Sequence, residues 1–305
     1  MSKKHRFFRE GFPHHTYTRG RNGNVLFYSK ADCIFFLTLY FCFARKYGIT
    51  VLAFCEMPNH FHSSERAPRK EIFLLFHGLL NSEFAREYNK EHNRSGPLFD
   101  APFGYAAKTA GKKIRDNLCY IANNAVVGNL SEDILDYRWN LLAYRESDHP
   151  FSEEIVPRKA TRAMKRALAK VKYFREKDLP LTYARQRTLM KGLDAKERQQ
   201  ILDFIISRYN GLDYAAMESF YQHSFRQACL SFRANSGSEH DIPEDYEDYR
   251  NYTKMMRLAE KNGIDLTQVY CEALDIATVH KLTRLFRSYG FPARQIKRLL
   301  HLEEH

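Results

Sequence analysis

The periodicity of apolar residues changes once along this 305-residue chain, near residue 150, and that change limits the folds open to it. Before it, period-two runs alternate with runs of period three to four; after it, almost every periodic stretch is helical. His14–Gly20 (HHTYTRG) reads as a strand, Ala31–Tyr47 as a strongly apolar helix closed by Gly48, and Thr50–Cys55 as a β-rich run leading into Met57–Ser63. Lys70–His92 is helical, because Ile72, Phe73, Phe76, Leu79, Leu80 and Phe84 recur at spacings of three and four. Leu98–Ala106 reads as extended and Ala110–Ala125 as a further helix. The order β-α-β-β-α-β-α predicts an α+β sandwich, a mostly antiparallel sheet with helices on one face. Length supports two domains, expected at 1–150 and 151–305.

The second part opens with Pro157–Arg175, which carries eight basic residues and no acid, while Ala160, Met164, Ala167, Leu168 and Val171 keep helical spacing. That pattern predicts an amphipathic helix with a basic face, able either to meet a polyanion or to face solvent. Asp194 and Glu197 form a capping box for a helix through Tyr209, and further helices are expected near 212–234, 243–262 and 265–288. Glu239–Asp248 (EHDIPEDYED) reads as a solvated turn and helix start. Leu282–Leu302 resembles the first half of a helix-turn-helix with Gly290 at the turn, ending where a base-reading helix would begin.

The charge balance narrows the partner. Lys and Arg number 48 against 36 Asp and Glu, giving +12 and a pI near 9.3. Such a surplus favours a polyanion, since basic side chains displace counterions from phosphates. No apolar run reaches the ~18 residues of a spanning helix, and Met1–Gly11 lacks the apolar core of a signal peptide, so no membrane partner and a cytoplasmic location are expected. Six cysteines without a CxxC pair predict buried, reduced thiols.

Two segments carry candidate chemistry. In Met57-Pro58-Asn59-His60-Phe61-His62, residues two apart on a strand share a face, so His60 and His62 would present two imidazoles roughly 6–7 Å apart at Cα, a spacing suited to one metal ion. Phe61 would then point the other way, beneath a helix. On the helix Ala110–Ala125, Ile114, Leu118, Ile121 and Ala125 define the buried stripe. Lys113, Asn117, Tyr120 and Asn124 follow the same spacing along its edge, where a tyrosine hydroxyl, an amide and a lysine can address a phosphate held at the sheet. By spacing alone, Tyr120 reads more often as a core-margin tyrosine and the histidine pair more often as a surface accident.

The order of motifs resembles one family. His14-His15-Thr16-Tyr17-Thr18-Arg19-Gly20 with Asn22, Phe27 and Asp32, then Met57-Pro58-Asn59-His60-Phe61-His62, Tyr88-Asn89, Gly96-Pro97-Leu98-Phe99, Tyr120-Ile121-Ala122-Asn123-Asn124 and Tyr137-Arg138-Trp139 are similar to the single-tyrosine transposases with a His-hydrophobic-His motif, most closely the REP-associated tyrosine transposases. The matches cover about residues 12–145; Ala125 and Ser63-Ser64 depart from the family's usual proline and aliphatic residues. The resemblance implies a ferredoxin-like catalytic domain, Tyr120 as nucleophile, His60 and His62 as ligands of Mg²⁺ or Mn²⁺, and Asn124 as the polar third ligand one turn after the tyrosine. It implies attack on single-stranded, hairpin-forming DNA with a 5′-phosphotyrosine intermediate. A phenol is only ~0.1% ionised at pH 7, so a divalent ion must offset the developing charge.

Arg19, Arg21, Lys112 and Lys113 are expected phosphate contacts beside these elements, and Arg162, Lys165, Arg166 and Lys170 contacts to a hairpin stem. A monomer or homodimer is expected. The alternatives are a domesticated module that binds hairpin DNA without cutting it, and a replication initiator or relaxase. The latter often carry a second tyrosine one turn away, where this chain has Asp116 and Asn124.

Overall fold

The computed structural model describes residues 7–100, 103–237, 247–267 and 274–302. It is α+β, with a four-stranded sheet. The strands β1 (His14–Arg19), β2 (Thr50–Met57), β3 (His60–Arg66) and β4 (Gly104–Ala107) lie in the order β2-β3-β1-β4. Each neighbouring pair is antiparallel. The expected elements of the first half are present, the extended segment expected at Leu98–Ala106 being reduced to the four residues of β4. Ser63 and Ser64 do not interrupt β3: Ser64 pairs with His15 in the ladder and the Ser63 hydroxyl bonds that of Thr16.

Helix α1 (Lys30–Tyr47) starts on a capping box of Ser29 with Asp32 and stops at Gly48, whose φ of 65° is the left-handed conformation that glycine adopts at no steric cost. It is apolar nearly all round because it is enclosed nearly all round. Phe36 and Tyr40 meet Phe61 and Phe54 of the sheet. α2 (Lys70–Glu91) packs beside it. Between these helices and the sheet lies a sealed polar cluster in which Glu65 accepts from His77, Tyr40 and Thr16. His77 and Glu65 have no exposed side-chain surface.

α3 (Gly111–Val127) corrects the expectation of helices on one face. It lies on the opposite side of the sheet from α1 and α2: its Tyr120 meets His15 and His62, whereas Phe61, between the histidines, meets α1. Ile114, Leu118, Ile121 and Ala125 are buried as predicted. Cys119 and Asn123 are buried as well, because α8 (Phe225–Ala234) covers the outer side of α3 and the Asn123 amide donates to the Phe232 carbonyl at 2.8 Å.

Beyond residue 150 the described elements are helical. The basic helix, α4 (Arg162–Glu176), begins later than predicted: Thr161 caps it by accepting from the Met164 N–H, and 157–160 form a turn. α5 (Tyr183–Met190) and α6 (Ala195–Tyr209) follow, α6 on the predicted Asp194–Glu197 capping box. The expected helix over 212–234 is two, α7 (Tyr214–Glu218) and α8, broken at Gln222 and His223, which both have positive φ. α9 is Arg250–Lys261, α10 Ile276–Ser288 and α11 Ala293–Leu300. The acidic stretch to 246 and Cys271 lie outside the described residues; the other five cysteines are buried and unpaired. Gly290 does make the turn between α10 and α11, but α11 is buried against the first half, not presented to solvent. The two halves share interior hydrogen bonds, such as Tyr183 to the Asp32 carboxylate at 2.8 Å and the Asp213 N–H to the Val51 carbonyl at 2.8 Å. Among the described residues no helix is long and apolar enough to cross a membrane.

Candidate active site on the α3 face of the sheet

β2 and β3 are joined by a two-residue turn, Pro58-Asn59. Proline sits where no ladder hydrogen bond is needed, and its carbonyl accepts from the Leu26 and Phe27 N–H groups. This turn fixes the register of β3, so His60, His62 and Ser64 face α3 while Phe61, Ser63 and Glu65 face α1 and α2. Pairing of β1 with β3 adds His15, Tyr17 and Arg19 to the α3 side, with Arg19 directly across from His60 and Tyr17 across from His62.

The His60 and His62 rings are 4.7 Å apart between centroids, and the Tyr120 ring lies 5.4 Å from that of His62 and 5.5 Å from that of His15. Hydrogen bonds determine the state of each imidazole. The Asn59 amide nitrogen donates to the Gly23 carbonyl at 2.9 Å, which turns its oxygen toward His60 Nδ1 at 2.6 Å. An amide oxygen only accepts, so His60 carries a proton on Nδ1, and Nε2 is the ring nitrogen not used in this bond. His62 Nδ1 is engaged by His15 Nε2 at 2.9 Å, again leaving Nε2 as the atom directed to a ligand. Burial, with the His60, His15 and Arg19 charges in support, holds His62 well below the usual imidazole range, so its ring is neutral at pH 7.

These residues fit a divalent cation in part. Two imidazoles with engaged Nδ1 atoms are the usual donors, ring orientation being set by the outer hydrogen bond. Asn124, one turn after Tyr120, is half-buried, and among the described residues its buried amide nitrogen has no hydrogen-bond partner. The side-chain amide is therefore not committed elsewhere and its two ends are interchangeable. Among the described residues no group of three or more His, Cys, Asp or Glu side chains is placed to hold a metal, so the protein offers two nitrogens and an amide, and substrate oxygens must complete the shell.

No family model matches the chain, and no curated protein matches it either. Among solved structures, a REP-associated tyrosine transposase bound to a REP hairpin is similar over 46% of this chain and 82% of that chain, at 15% identity and a TM-score of 0.38.

Of the predicted residues, the structure brings His60, His62, Tyr120 and Arg19 to one face, with Asn124 one helical turn after Tyr120. Arg21 is exposed in a short 3-10 turn following β1, and Lys112 and Lys113 are exposed at the first turn of α3. Arg162, Lys165, Arg166 and Lys170 are not near Tyr120. α4 packs on α5 and α6, which pack on α1, and α1 covers the other face of the sheet. Arg166 also donates to the Lys191 carbonyl at 2.7 Å.

Three residues of the site receive no role from the sequence, although His15 and Tyr17 lie in the HHTYTRG motif. His15 touches both His62 and Tyr120. Tyr17 lies 6.3 Å from His62 over Gly104, where a Cβ would overlap its ring, so a glycine is required beneath it. Tyr249, preceding α9, lies 5.9 Å from His60. Period-two alternation in HHTYTR places His15, Tyr17 and Arg19 together and could have signalled the first two; Tyr249 has no local signal.

Proposed function

We propose that this chain is a metal-dependent enzyme that nicks and rejoins single-stranded, hairpin-forming DNA through Tyr120. The carrying observation is that one tyrosine, on a helix edge, is seated against a pair of hydrogen-bond-oriented histidines on the α3 face of the sheet. The strand order and antiparallel pairing support a ferredoxin-like reading of the sheet, and the sequence motifs that resemble the single-tyrosine transposases converge there. On this reading residues 1–150 supply the chemistry and 151–305 the accessory helical part.

His60, His62 and Asn124 would hold Mg²⁺ or Mn²⁺, and when bound the ion supplies charge to the non-bridging phosphate oxygens. Arg19, opposite His60, adds positive charge on the same face. The Tyr120 oxygen attacks phosphorus; the Tyr120 O–P bond forms, the P–O3′ bond breaks, and the phenolic proton ends on the departing 3′ oxygen. The phosphotyrosine keeps the energy of the linkage, so a 3′-hydroxyl can reverse the step without a nucleotide cofactor. A cytoplasmic setting and a monomer or homodimer belong to the same proposal.

The test is a 3′-labelled hairpin oligonucleotide incubated with Mn²⁺ or Mg²⁺ and resolved under denaturing conditions. The expected product is protein attached to the 5′ end, absent for Tyr120→Phe. An adduct that persists in Tyr120→Phe removes the assignment of nucleophile; binding without any adduct in the unmodified protein favours the non-cutting module.

A further inference from the structure

His60 is held by a circuit of interactions that leaves the sheet, passes through the last described helix and returns. Its Nδ1–H donates to Asn59, and Asn59 donates to the Gly23 carbonyl. Gly23 has a φ of +72°, and a Cβ there would lie 2.7 Å from Arg298 Nε, so the guanidinium of α11 occupies the space beside this peptide. Arg298 is ion-paired to Glu247; their side chains are only 8% and 5% exposed. The other Glu247 oxygen accepts from Tyr252 at 2.7 Å. Two residues after Glu247, Tyr249 donates its N–H to the Gly128 carbonyl at 3.0 Å and sets its ring against His60. A Cβ on Gly128 would come within 2.7 Å of that ring. α11 is fastened to the same loop from its own side: the Val25 N–H donates to the Arg298 carbonyl, His301 to the Val25 carbonyl and Tyr28 to the Leu299 carbonyl.

We infer that Arg298, Glu247 and Tyr249 are positioning residues for His60, which makes α9 and α11 part of the metal-holding half of the site. The inference rests on the reading of His60 as a ligand. Removing the guanidinium leaves Glu247 as a buried charge without its partner and a void beside Gly23. The Gly23 peptide can then turn, the Asn59 amide loses the bond that orients it, and the lock on the His60 tautomer opens. With the proton on Nε2 the ring cannot ligate through that atom. Outer-shell partners of metal-binding histidines typically carry 10–100-fold in metal affinity.

The experiment uses the full chain with ¹⁵N-labelled histidine. Long-range ¹H–¹⁵N spectra of the metal-free protein read the His60 tautomer, and titration with Mn²⁺ alone reads affinity. The expected result is one Nδ1–H tautomer in the unmodified protein. R298M should give a tautomer mixture with Mn²⁺ affinity reduced about 10–100-fold, and R298K should recover the tautomer and most of the affinity. If R298M does not fold, E247Q, which keeps the volume, is read in the same way. An unmodified tautomer and affinity in the folded variant overturn the inference. Dependence of the tautomer on Arg298 without any Mn²⁺ binding in the unmodified protein would uphold the circuit and remove the metal reading instead.

Discussion

The two faces of the sheet are built from alternate residues of the same strands, yet they place their histidines in opposite situations. On the α1 and α2 face, His77 is bound to Glu65, itself held below the usual carboxylate range by His77, Tyr40 and Thr16 against its own burial. Both side chains are fully enclosed there. On the α3 face, His15, His60 and His62 engage one another, the Asn59 amide and aromatic rings. The His77–Glu65 pair has no exposed side-chain surface, whereas the imidazoles of the α3 face are grouped against Tyr120.

The largest effect belongs to the α3 face. His60→Ala with His62→Ala should lower cleavage at least about a thousandfold, the several kcal/mol of charge stabilisation an ion provides. Hairpin binding and the urea midpoint should change little. A matching loss of stability in urea would erase the distinction and make the pair structural, like the sealed face.

The sealed face should answer in the reverse sense. Glu65→Ala strands His77 and Tyr40 in the interior and should cost about 3–5 kcal/mol in urea unfolding, while any variant that remains folded keeps its cleavage products. A cost below about 1 kcal/mol would show the cluster to be energetically idle.

Acid acts on both faces, since His62 is held low by burial as well. Burial pushes His14 down to about 4, although Glu65 opposes this, and its Nε2 accepts the Arg9 N–H at 3.0 Å. Between pH 6.5 and about 4 the unfolded chain binds the His14 proton and the folded one does not, so stability falls as pH falls through that window. Glu65, held low, adds its loss only at more acid pH. Urea midpoints measured from pH 7 to 4 should decline, and less steeply in His14→Gln; a flat profile contradicts the assignment.

The smallest effect is expected from α4. Its basic side chains lie two layers behind the sheet, so changing Arg162, Lys165, Arg166 and Lys170 to Ala should leave cutting at saturating substrate intact. For every phosphate that α4 ceases to neutralise, the salt slope of hairpin binding should fall by roughly 0.7–0.9. An unchanged slope would mean that this face meets solvent only.

Much of this was legible in the sequence for physical reasons. Strand and helix periods, the caps at Gly48 and Asp194, and the alternation His60-Phe61-His62 are local, and local patterns record local burial. The side of the sheet that α3 covers is not local: its buried stripe says that it packs, not on what. Nor could spacing disclose that Tyr249 and Arg298 return to His60, since those interactions join distant segments through the backbone of Gly23 and Gly128.

The Pro58-Asn59 turn has one more consequence, for how this chain tolerates insertion. Its length is counted in units of one residue, and the side chains of a strand reverse with each unit. One added residue would carry His60 and His62 into the aromatic interior and bring Phe61 out to meet Tyr120. Reaction centre and core would be lost together, while a second added residue would restore the original facing. Variation in the length of this hairpin should therefore occur in pairs.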